Sequence, residues 1–226
     1  NIDYCEKNSL DSWNINAKLI SNLACFSHDM DVPLLHISTD HFYTYGENKP
    51  HNENDQIFCV NEYSRHKYAA EAFALTSERS LVVRTSILGA RRNDEKSLVE
   101  WAIENLLNEV PIELFCDAWT SSIDVDNFAK IALKVFLDLR SRGVINVAAR
   151  EVYSKEQLIR KLADRLSIDH SKCVSGSIKR SSVNRANCLG LDVTKVEKLL
   201  GEKMPTLNDV CAALIPLLTK YKSSLI

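Results

Sequence analysis

Leu34-Leu35-His36-Ile37-Ser38-Thr39-Asp40, with Tyr63-Ser64-Arg65-His66-Lys67 following 24 residues after Thr39, decides how this chain folds. An apolar run that ends in two hydroxyls reads as a buried strand delivering polar groups to a site. A Tyr and a Lys four apart in a helical pattern share one helix face. Upstream, Leu10, Trp13, Ile15, Leu19, Ile20, Leu23 and Phe26 recur at helical spacing and predict a helix over residues 8–30. Pro33 opens the strand over 33–38, and a long polar loop over 41–60 carries Gly46 and Pro50. Downstream of a helix over 61–78, Leu81-Val82-Val83-Arg84-Thr85 is a second strand that ends at Gly89. A helix over 95–108, a strand over 112–115, a helix capped by Asp124 and running to 139, and a strand over 143–148 follow. Ser154 and Gln157 form a capping box that opens a helix to 166, and two more helices fall near 192–200 and 206–222. Apolar, β-branched strands separated by helices imply parallel pairing through crossovers. The expected architecture is α/β, with residues 1–150 forming the sheet-bearing part and 151–226 a smaller, helix-richer lobe.

Composition narrows the function. The chain has 226 residues, 45% hydrophobic and 26% charged, with a net charge of -2. No basic tract argues for nucleic acid, and no apolar run is long enough to span a membrane. Seven cysteines at 5, 25, 59, 116, 173, 188 and 211 include no CxxC pair, which points to reduced thiols and a cytoplasmic setting rather than a disulfide framework. The histidines share no metal-ligand spacing, so no metal is expected.

The two opening motifs supply what reduction of a ketone requires. A free Tyr is a sluggish acid at neutral pH, with a pKa of about 10. A neighbouring ammonium at Lys67 and a cationic nicotinamide would favour the phenolate and lower that value. Tyr63 could then protonate the developing alkoxide, while Thr39 or Ser38 hydrogen-bonds the same oxygen. YxxxK alone is a weak motif, since Tyr45-Gly46-Glu47-Asn48-Lys49 also matches. That second copy contains Gly46 and precedes Pro50, which places it in a loop.

In order along the chain, further segments carry a family resemblance. Ile2-Asp3-Tyr4-Cys5-Glu6 and Asn16 come first, then Ser38-Thr39-Asp40-His41-Phe42-Tyr43 and Pro50-His51-Asn52-Glu53-Asn54-Asp55. Tyr63-Ser64-Arg65-His66-Lys67, Arg84-Thr85-Ser86-Ile87 and Asn187-Cys188-Leu189-Gly190-Leu191-Asp192 follow. The set resembles the extended short-chain dehydrogenase/reductases, and within them the dTDP-4-dehydrorhamnose reductase-like group. That group has S-T-D-Y-V-F, P-Y-x-E-x-D, Y-G-x-S-K and R-T-S-W in this order. The resemblance implies a Rossmann-like parallel sheet flanked by helices with a C-terminal substrate lobe. It also implies NADP or NAD as cofactor and a nucleotide-sugar substrate whose C4 ketone is reduced. A homodimer is a further expectation. Thr39, Tyr63 and Lys67 would be the catalytic triad. Ser38, Tyr63, Lys67, Ser86 and Ile87 would meet the cofactor, and Asp40, His41 and Arg91 the substrate. A nucleotide-sugar epimerase or dehydratase on the same scaffold, and a non-catalytic sugar-nucleotide-binding subunit, are the rival readings.

This chain departs from the group's pattern in three places. His41 replaces the tyrosine of S-T-D-Y, and Ile87 replaces the tryptophan of R-T-S-W. The six glycines at 46, 89, 143, 176, 190 and 201 form no glycine-rich phosphate loop, although the resemblance implies one in front of these motifs. The sheet is therefore expected to be incomplete at its N-terminal side, as in a fragment or in a protein that has lost dinucleotide binding. Arg91-Arg92 could meet a diphosphate, and Asp117-Ala118-Trp119-Thr120 resembles a segment near the substrate.

Overall fold

The computed structural model describes residues 2–46, 48–91, 95–180 and 186–224, with residues 180 and 220–224 as backbone only. Three parallel strands form its main sheet. Ser80–Arg84 lies in the middle, Leu34–Ile37 pairs on one side and Gly143–Asn146 on the other. The register sets Ile37 beside Val83 and Arg84 beside Asn146. The central strand is buried at every residue, as a strand covered on both faces must be. The α/β architecture and the parallel pairing inferred from the sequence are both present.

The helix expected over 8–30 is broken into pieces. Ser9–Trp13 and Leu19–Asp29 are α-helical, and Asn14–Lys18 between them is a π-helical turn. The apolar periodicity marks the helix correctly, but the large side chains are not its buried face. Leu10 is 72%, Ile15 64% and Phe26 57% exposed, while Ser12, Ala17, Ala24 and Ser27 are buried. Small residues let this segment approach the helix Glu62–Ala74 closely. Their contact is sealed by a Ser12–His66 hydrogen bond of 2.8 Å and by Trp13 set edge-on to His66.

Helix starts follow side-chain capping. Asn61 and Ser64 form a capping box for Glu62–Ala74, Ser97 and Glu100 one for Leu98–Leu107, and Ser154 and Gln157 one for Lys155–Leu166. Asp124 caps Val125–Leu133 through the Asn127 amide, as expected, and a π-helical turn over Lys134–Asp138 extends it. Strands too short to read from sequence surround the main sheet. Trp119–Thr120 runs parallel to Cys188–Leu189 and antiparallel to Tyr153–Ser154. Ile87–Leu88 pairs with Ile123–Asp124, and Glu113–Phe115 with Val174–Gly176, both parallel.

Two hydrophobic cores hold the chain together. One joins Phe42, Tyr43, Leu81, Val83 and Ile145 to Leu191, Val196 and Met204. The other joins Val99, Ile103 and Leu114 to Leu158, Leu162, Val210 and Leu214. Each draws on residues from both sides of residue 150. Among the described residues, no helix is long and apolar enough to cross a membrane, and no cluster of three or more His, Cys, Asp or Glu could hold a metal ion.

Candidate functional site

The strand Leu34–Ile37 ends at the C-terminal edge of the sheet, and its continuation Ser38-Thr39-Asp40-His41 forms one wall of a cleft of about 490 Å³. The opposite walls are Tyr63 and Lys67 from the helix Glu62–Ala74, and Thr85, Ser86, Ile87 and Arg91 from the segment after the central strand. Ligand clefts in parallel α/β sheets open at this edge of the strands. The three residues expected to be catalytic, and those expected at cofactor and substrate up to Arg91, line this one cleft, whereas Asp117-Ala118-Trp119-Thr120 does not.

Tyr63 sits half-buried near the start of its helix, with His41 edge-on to its ring at 5.9 Å. Burial raises the phenol above its ordinary pKa, and the Thr39 hydroxyl beside it works in the opposite sense. This reverses the lowering expected from Lys67. Loss of solvent is the largest influence on the phenol, and Tyr63 holds its proton at neutral pH. The Lys67 ammonium donates to the Ile37 carbonyl at 2.6 Å and lies 3.5 Å from His36 Nε2. Burial lowers the Lys67 pKa to about 8, with Glu71 pulling the other way. Burial, then Lys67, brings His36 down to about 3, so its ring is neutral toward the ammonium.

Thr39 and Ser38, interchangeable in the sequence, are separated by the structure. Ser38 Oγ donates to Glu71 Oε1 at 2.5 Å and is committed there. Thr39 Oγ1 accepts from the His41 amide at 3.2 Å, lies 3.5 Å from Asp40 Oδ1 and stands beside the Tyr63 hydroxyl in the cleft. Asp40 is 1% exposed. Its Oδ2, like Thr85 Oγ1, is buried without a hydrogen-bond partner. Burial raises the Asp40 carboxyl to about 7. Ser86 shares a hydrogen bond with Ser122, and Ile87 is 40% exposed at the cleft mouth. The Arg91 side chain pairs with Glu95, and Arg92 lies outside the described residues. Asn16 falls in the π-helical turn and donates to Ser12 Oγ at 3.2 Å. Asp117 accepts from Ser177 Oγ and the Ile178 amide, and so ties down the segment at 177–178.

The Asp40 carboxyl gives stability a direction with pH. Its folded pKa lies above the ordinary carboxylate value, so the folded chain binds the extra proton between about 4 and about 7. The stabilisation is complete below that window and is lost as pH rises through about 7. Denaturant midpoints should therefore be higher at pH 5 than at pH 8, and Asp40→Asn should flatten the difference. An unchanged slope in Asp40→Asn would assign the effect to another group.

Sequence reading missed the polar network behind the cleft. Arg84 ends the buried central strand and pairs bidentately with Glu71, Nε to Oε1 at 3.0 Å and Nη2 to Oε2 at 2.7 Å. Its Nη1 donates to the Tyr43 hydroxyl and the Glu53 carbonyl, both at 3.1 Å. Glu53 Oε1 in turn accepts from the Asn146 amide, and His51 stacks on Tyr43 with ring centroids 4.1 Å apart. The loop over 41–60 is thus pinned to the sheet. A signal was available, because a charged residue closing an all-apolar buried strand needs a buried partner. Glu71 is the acid four residues beyond Lys67 on an otherwise alanine-lined face.

A parallel α/β sheet with a cleft at the C-terminal ends of its strands, lined by Thr39, Tyr63 and Lys67, is a Rossmann-like architecture. The family model described as the RmlD substrate binding domain matches residues 1–218, and the chain belongs to that family. Among curated proteins it is similar to the probable low-salt glycan biosynthesis reductase Agl14 of Haloferax volcanii, 27% identical over 98% of this chain and 76% of that protein. It is also 27% identical to a dTDP-4-dehydrorhamnose reductase of Sinorhizobium fredii, over 55% of this chain and 43% of that protein. Among solved structures, dTDP-4-dehydrorhamnose reductase of Bacillus anthracis in complex with NADP superposes with a TM-score of 0.85 at 20% identity, covering 95% of this chain and 76% of that one. The Yersinia enterocolitica reductase superposes equally well, at 18% identity over 96% and 78% of the two chains.

Proposed function

We propose that this protein is an NADP- or NAD-dependent reductase that converts the C4 ketone of a nucleotide-linked deoxysugar, of the dTDP-4-dehydrorhamnose kind, to an alcohol. The observation that supports this reading is that Thr39, Tyr63 and Lys67 line one cleft, with the Thr39 hydroxyl beside a phenol that burial keeps protonated. Family membership and the reductase names of both curated relatives support it. Seven free cysteines agree with a reducing, cytoplasmic setting.

In this reading Thr39 and Tyr63 hold the ketone oxygen from two sides. Tyr63 passes its phenolic proton to that oxygen as the carbonyl carbon is reduced, and is left as phenolate. Lys67 stabilises that phenolate and anchors the ribose, while Thr39 keeps its hydrogen bond to the oxygen as charge develops. A reduced nicotinamide, when bound, supplies the hydride. Ser86 and Ile87 form the cofactor side of the cleft together with the Ser38 backbone. Asp40 Oδ2, His41 and Arg91 form the sugar-nucleotide side.

Incubation of the native protein with dTDP-4-dehydrorhamnose and NADPH should consume one NADPH per sugar reduced, and the product should be the 4-hydroxy sugar. An epimerised or dehydrated sugar with the cofactor returned unchanged would replace this reading with an epimerase or dehydratase. Tight sugar-nucleotide binding without turnover would replace it with a binding subunit.

A further inference from the structure

The chemistry assigned to the cleft uses Thr39, Tyr63 and Lys67, but it does not explain why a fully buried ion pair lies directly behind them. Arg84 and Glu71 are 3% and 2% exposed. Both oxygens of Glu71 are engaged, one by Arg84 Nε and the Ser38 hydroxyl, the other by Arg84 Nη2. Ser38 stands between the two residues that matter most on its strand. Ile37, before it, provides the carbonyl that seats the Lys67 ammonium, and Thr39, after it, provides the cleft hydroxyl. Glu71 also stands one helical turn beyond Lys67, on the same face.

We propose that Glu71 is the positioning residue of this site: through Ser38 it fixes the strand end that carries both the Lys67 acceptor and Thr39, and from its own helix it turns a carboxylate toward Lys67. The inference rests on the reading of Lys67 as the functional cation. Arg84 holds the carboxylate against the strand, and the Tyr43 hydroxyl and Glu53 carbonyl hold Arg84. The chain of contacts therefore runs from the loop over 41–60, through Arg84 and Glu71, to the two elements that bear the catalytic groups. The charged and titratable groups around Lys67 are His36 from the strand, Tyr63 and Glu71 from its own helix, and Asp40, His41 and Arg91 along the cleft. Of these, Glu71 is the group that favours the ammonium, and burial opposes it. Without the carboxylate, the ammonium gives up its proton at lower pH.

The test reads Lys67 directly. Trace labelling of the native protein with acetic anhydride across a pH series, with mass spectrometry of the Lys67 peptide, gives the pH at which the amine becomes reactive. Glu71→Gln keeps the shape and the Ser38 contact but removes the charge. It should lower that midpoint by about one pH unit, and Glu71→Asp should return it toward the wild-type value. A midpoint unmoved in folded Glu71→Gln would overturn the proposal. If Glu71→Gln fails to fold, Glu71→Gln combined with Arg84→Met leaves no buried charge unpaired, and it must show the same fall. The labelling needs no turnover. A fall in the midpoint in a protein that reduces no ketosugar would therefore sink the reductase reading and keep the role of Glu71. Turnover with no fall would do the reverse.

Discussion

Tyr63→Phe should cut ketosugar reduction by orders of magnitude while leaving the fold intact. The substitution deletes one oxygen. The ring keeps its place at the head of the helix and its edge-on contact with His41, and the capping box of Asn61 and Ser64 is untouched. What disappears is the only phenol lining the cleft among the described residues. General acid catalysis by a positioned side chain is worth about 10²–10⁴-fold, and kcat should fall within that range. In the proposed reading KM should move little, because Thr39, Asp40 and His41 would still line the sugar side of the cleft. The pKa direction matters for the interpretation. Burial keeps Tyr63 protonated at neutral pH, so the free protein already holds the acid form that a reduction requires. An ammonium that drove it to phenolate before substrate arrived would serve oxidation instead. Near-wild-type turnover in Tyr63→Phe, with circular dichroism unchanged, would remove Tyr63 from the chemistry and leave Thr39 with an ordered water as the proton source.

The fold was legible in this sequence because its signals are local. Parallel strands buried on both faces are short apolar runs, and the helices between them carry caps such as Asp124 and Ser154 that can be read residue by residue. The two-residue strands were not legible, since pairs such as Trp119–Thr120 with Cys188–Leu189 exist only because distant segments meet. The exposed face of Leu19–Asp29 shows the limit of periodicity. It reports a helix, but which side is buried depends on how closely the neighbour approaches, and there the small residues won. At the site, the motifs located the cleft because each stands at the end of a strand or the start of a helix. The division of labour between Ser38 and Thr39 was invisible, because it depends on Glu71 arriving from another element. The Tyr63 phenol shows a related limit: sequence shows a lysine one helical turn away, but not the burial that raises the phenol in the cofactor-free protein.

The largest loss of stability should come from Arg84→Ala. Removing the guanidinium leaves the Glu71 carboxylate inside the protein with only Ser38 for a partner, and it strips the Tyr43 hydroxyl and the Glu53 carbonyl of a donor. Breaking one side of a buried pair costs about 3–5 kcal/mol, a large share of a total stability of about 5–15 kcal/mol. Urea denaturation should show a midpoint drop that corresponds to this loss, with little change in slope. The pair Arg91–Glu95 provides the contrast. Its side chains are 56% and 76% exposed, and deleting either partner should cost about 1 kcal/mol or less. Replacing Arg84 and Glu71 together by methionine should recover most of the stability, because no charge is then left without a partner. It should not recover turnover, since the clamp on Ser38 and the charge facing Lys67 are both gone. If the double variant instead regains both stability and activity, the ion pair is structural filler. If it regains stability alone, the desolvation this chain tolerates behind its cleft serves the reaction and not the fold.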